Sequence, residues 1–113
     1  MDSILDSVKD KIAGGHIHEH FDQEIIDAIN AVFVDFRQLG IGPEEGFVVR
    51  DDTQTWADFL GEQLPLKESI RTLTALKVRV IFDPPASSAI MDAINKTTDR
   101  LEWRLFAEAE LGM

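Results

Sequence analysis

The chain has 113 residues, a formal net charge of −10 and no cysteine. That length suits a single domain, residues 1–113, with a modest core. The lack of cysteine excludes disulfides and thiolate metal sites, and 44% hydrophobic against 28% charged residues excludes a disordered composition. No apolar run approaches the length of a membrane span, so no membrane partner is expected. The N-terminus MDSILDSVKD carries acids where a signal peptide carries bases, so no targeting segment is expected, and the lack of cysteine suits an intracellular or particle-bound protein.

The charge is unevenly placed. Residues 1–62 hold 4 basic and 14 acidic side chains, whereas residues 63–113 hold 7 of each. The first half repels nucleic-acid phosphates. Such an asymmetry fits copies that meet head to tail, or a basic partner; acids that serve only solubility are the plainer alternative.

In chain order, Ser3 caps a short first helix with Ile4, Leu5, Val8 and Ile12 on one side, and Gly14-Gly15 stop it. Asp22 is the expected N-cap of a second helix, with Phe21 and Ile26 as a hydrophobic staple and Glu24 in the first turn. Ile25, Ile26, Ile29, Val32, Phe33 and Phe36 form its apolar stripe. Gly40 falls at the left-handed position past its end, and Gly42-Pro43 bars continuation. Residues 41–64 read as a long irregular connection, with Phe47-Val48-Val49 as a candidate short strand and a helical turn or two within Thr55–Leu60. Phe47, Trp56, Phe59 and Leu60 are too apolar for a solvated loop, so they pack on the bundle or on a neighbouring molecule.

Pro65 precedes a third helix, Leu66–Phe82, which Asp83-Pro84-Pro85 halts, because a residue before proline avoids the helical region. A fourth helix starts near Ser87 or Ser88, with Ile90, Ile94, Thr97, Leu101 and Leu105 inward. The expected fold is therefore mainly all-α: a small bundle of about four helices, ending in an antiparallel helical hairpin.

The candidate sites are few. HIHEH places His16, His18 and His20 on one side of an extended chain, as in a zinc triad, yet it lies between a glycine break and a helix cap and lacks a fourth ligand. A linker is the preferred reading, with no metal and no cofactor assigned. No nucleophile motif, phosphate-cradling loop or dinucleotide fingerprint occurs, so no catalytic residue is named and an enzyme is not expected. Lys96, Arg100 and Arg104, at i, i+4 and i+8, form a basic row on the fourth helix that suits either solvent or another chain's acids.

Several stretches carry a family likeness. FDQEIIDAINAVFVDFRQLGIGP, residues 21–43, resembles the first long helix and turn of the small head–tail connector (adaptor, or head-completion) proteins of long-tailed bacteriophages. Ile29-Asn30 and Gln38-Leu39-Gly40-Ile41-Gly42-Pro43 are its distinctive pieces. Trp56 with Phe59-Leu60, Lys77-Val78-Arg79 with Phe82-Asp83-Pro84-Pro85, and Leu101-Glu102-Trp103-Arg104-Leu105 extend the likeness toward the C-terminus. The resemblance implies a structural virion protein, assembled in the host cytoplasm. It implies a ring, usually twelve-fold, under the portal protein, which lengthens the DNA channel without gripping DNA and receives a stopper or tail-completion protein. As a hypothesis from the residue pattern, Phe47, Trp56, Phe59, Lys96, Arg100 and Arg104 are the candidate subunit or portal contacts. The alternative is an acidic helical protein-binding or DNA-mimicking regulatory phage factor.

Overall fold

The computed structural model describes residues 2–13 and 19–110. Five α-helices follow in order: α1 Ile4–Ala13, α2 Asp22–Gln38, α3 Trp56–Leu60, α4 Lys67–Phe82 and α5 Ser88–Glu110. Short 3-10 turns, Glu19–Phe21 and Gly61–Leu66, lead into α2 and α4. The mainly helical bundle and its C-terminal hairpin are thus present.

Ser3 caps α1 by accepting the Asp6 amide at 3.2 Å. The same end is stitched to the connection far along the chain. Ile4 N–H donates to Gln54 C=O at 3.0 Å, Trp56 N–H donates to Asp2 C=O at 3.3 Å, and Ser3 forms an isolated antiparallel bridge with Thr55.

The start of α2 differs from expectation. Phe21 occupies the cap, with no side-chain cap bond. The preceding 3-10 turn already delivers a helical backbone at Asp22, so its carboxylate reaches Lys9 on α1 instead, at 2.7 Å. Phe21, expected to staple onto Ile26, meets Phe82 edge-on at 5.8 Å. The end of α2 follows the expected chemistry. Gly40, at φ 83°, lets its N–H reach Arg37 C=O at 3.1 Å while Ile41 N–H reaches Phe36 C=O at 2.9 Å. These two bonds make a Schellman motif, sealed by the buried pair Phe36 and Ile41.

The candidate strand at Phe47–Val49 is not formed, and no strand occurs among the described residues. Val49 finds its partner on a helix instead. Its N–H donates to Asn30 Oδ1 at 2.8 Å and its C=O accepts from Asn30 Nδ2 at 3.0 Å. A second amide clamps the turn after α2: Gln63 accepts from Gly42 N–H at 2.8 Å and donates to Gly40 C=O at 2.7 Å. Thr55 and Asp58 close a capping box on α3. Near Asp51, the Thr53 hydroxyl and then its amide hold the Asp51 carboxyl below its ordinary range in an exposed turn.

One core joins α1, α2, α3 and α4, with Ile4, Val8, Ile25, Ile29, Phe36, Trp56, Ile70 and Leu73 fully enclosed. Each such side chain contributes about 1.5–3 kcal/mol. Helix α4 is central, packing on α1, α2 and α5. Lys77 ties these layers: it lies 2.5 Å from Glu102 on α5 and 3.6 Å from Asp35 on α2. Helix α5 packs chiefly on α4 through Ile94, Leu101 and Leu105, whereas Ile90, placed in the buried stripe by periodicity, is 49% exposed.

Candidate assembly surface

The apolar residues of the connection lie within the subunit. Trp56 is 0% exposed and Phe59 2%, while half-buried Phe47 leans on both Phe33 and Phe59. The Phe33 and Phe59 rings stack in parallel at 4.0 Å, and Trp56 Nε1 donates to Ser7 Oγ at 2.8 Å. The expectation that Trp56 and Phe59 contact a neighbour is therefore corrected: the folded chain encloses them, so they offer no surface. Gln38, Leu39, Gly40, Gly42 and Pro43 form the turn that carries this cluster, since a Cβ at Gly42 would overlap the Phe59 ring.

Asp83, Pro84 and Pro85 form the corner between α4 and α5. Asp83 has the extended φ of −146° that a following proline favours, and its N–H closes α4 on Arg79 C=O at 2.8 Å. Ser87 then caps α5, accepting the Ile90 amide at 3.3 Å.

The basic row is exposed as expected. Lys9, Lys67, Arg71 and Lys77 form ion pairs inside the subunit, but Lys96, Arg100 and Arg104 form none with the described side chains. Beside them Trp103 is 73% exposed and Phe106 is also open to solvent. Trp103 comes nine residues after Ile94, about half a turn from the line that faces α4.

The outer side of α2 is acidic. Glu24, Asp27 and Asp35 sit on the outer side of α2 with Ala31 and a 60%-exposed Val34. Against the end of α4 this side forms a groove of about 340 Å³, lined by Glu24, Asp27, Ala28, Ala31, Ile81 and Phe82. Sequence reasoning missed this groove and the two amide clamps. Ile81 and Val34, apolar residues off the buried stripes, were the available signal.

His20 is exposed at the start of α2, and no group of metal-ligating side chains occurs among the described residues. His16 and His18 lie outside them. No helix among the described residues is long and apolar enough to cross a membrane.

Neither curated proteins nor solved structures provide a match. Among protein families, the phage connector protein family matches residues 4–112, which takes in every helix described above. The chain therefore belongs to the phage connector protein family.

Proposed function

We propose that this connector is the head–tail adaptor subunit, which assembles as a ring beneath the portal, extends the DNA channel and presents a docking surface to a stopper or tail-completion protein. The observation that carries the reading is a pair of exposed charge clusters of unlike sign on different helices, Lys96, Arg100 and Arg104 on α5 and Glu24 and Asp27 on α2. A closed ring needs a heterologous contact, in which one face of a subunit meets a different face of the next. The chain's extents of 38 × 33 × 20 Å suit a slab-like wall element. The surplus of acid suits a conduit through which DNA slides without adhering. The subunit acts as a structural protein, in the virion at the head–tail interface.

Mixing the protein with its portal and imaging the complex tests this directly. Rings coaxial with the portal are the expected result. A protein that stays monomeric beside its portal would favour a regulatory acidic binding factor instead.

A further inference from the structure

We propose that the α5 face centred on Trp103 docks into the α2–α4 groove of a second copy of this chain. The inference rests on the connector reading only for ring closure; the contact itself is argued from the two surfaces.

The donor surface is an aromatic knob with Arg100 and Arg104 on one side and the exposed Asp99 one turn before it. Trp103 is 73% exposed, Phe106 lies near it on the helix, and Arg100 and Arg104 flank it without ion-pair partners among the described side chains. Isolated exposed apolar residues are ordinary, but grouped Trp, Phe and Arg are the types that anchor interfaces.

The acceptor surface complements it. The groove of about 340 Å³ has a floor of Ala28, Ala31, Phe82 and a 54%-exposed Ile81, with Glu24 and Asp27 beside it. Small residues on α2 open space for a large ring. The carboxylates stand where guanidinium groups next to that ring would arrive, and guanidinium–carboxylate pairs fix orientation as well as adding energy.

The two surfaces belong to different molecules. Trp103 points away from α4, and its neighbour Glu102 is level with Lys77, more than a turn of α4 short of Phe82. A chain therefore does not fill its own groove. Each docking event leaves one knob and one groove free, so the contact repeats head to tail until it closes. A second copy is favoured by charge: the chain carries both members of the pair, and all its net negative charge lies in residues 1–62, which supply the α2 wall of the groove.

The chain lacks cysteine, so crosslinking is clean. Val34→Cys on α2, beside the groove but outside its lining, and Ala107→Cys, one turn beyond Trp103, keep every proposed contact. A short bis-maleimide applied to the free protein at high concentration and to the portal-bound form should give a ladder of covalent oligomers. Ala57→Cys on α3 paired with Ala107→Cys should not. Trp103→Ala should lower linking about tenfold or more without changing the circular dichroism. Arg100→Glu with Arg104→Glu should abolish it, and adding Glu24→Arg with Asp27→Arg should restore it in part. Rings on the portal without the ladder would overturn this contact and leave the connector reading standing. A ladder without portal binding would support the contact and count against that reading. No ladder in either form would overturn the contact.

Discussion

Asn30 on α2 exchanges two hydrogen bonds with the main chain of Val49, at 2.8 and 3.0 Å, and so stands in for the neighbouring strand that Val49 lacks. Val49 is buried, so this pair cannot be replaced by water without opening the fold. The connection is held to the bundle at this point and, through Gln63, at the turn after α2.

Asn30→Ala should therefore cost about 1–3 kcal/mol, the penalty for leaving a buried donor and acceptor unpaired. Urea denaturation of the isolated subunit measures it. Asn30→Asp keeps the acceptor for the Val49 amide but loses the donor, so it should also destabilise. A loss under half a kcal/mol in the alanine variant would mean the clamp is redundant.

Two glycines in one turn should respond differently. Both Gly40 and Gly42 have positive φ, at 83° and 85°. A Cβ at Gly40 meets nothing, whereas one at Gly42 overlaps Phe59. Gly40→Ala should cost about 1–2 kcal/mol of backbone strain alone. Gly42→Ala should cost more, because the Phe33–Phe59 stack must shift too. Equal melting temperatures for the two variants would contradict this ordering.

Replacing Pro84 and Pro85 together by alanine should let α4 run on or fray, since both fixed backbone angles are lost. The corner makes little of the core, most of which lies in α1 to α4 with Leu105 the fully buried contribution of α5. Ring assembly on the portal should therefore suffer more than subunit stability, with sedimentation and thermal melting as the two readouts. Unimpaired assembly would count against the corner setting the angle of α5.

The HIHEH segment should act as a linker. Treating the untagged protein with a chelator should leave its melting temperature and its assembly unchanged. Stoichiometric zinc in protein purified without a histidine tag would refute the linker reading.

The free subunit should show no useful affinity for duplex DNA. Its charge of −10 opposes the phosphate attraction that dominates non-specific binding. Salt-sensitive retardation of DNA at micromolar protein would overturn the conduit reading.

What the sequence determined by itself was local and periodic. The apolar stripe of α2, the Gly40 end, the Ser3 cap and the Asp83-Pro84-Pro85 corner each depend on residues within a turn or two of one another, so their chemistry is visible along the chain. The exposed row of Lys96, Arg100 and Arg104 followed from the same spacing rule. Tertiary structure decided the rest. Phe47, Trp56 and Phe59 announce a need for cover, but only packing against Phe33 and Ser7 determines that the subunit itself supplies it. Asp22 looked like a cap until the fold brought Lys9 within 2.7 Å. Asn30 and Gln63 find backbone partners about twenty residues away, and the groove beside Ala31 exists because α4 ends against α2. Pattern along a chain reports which faces are apolar; which faces meet depends on how separate elements fill space together, and that is settled only when the whole chain closes on its core.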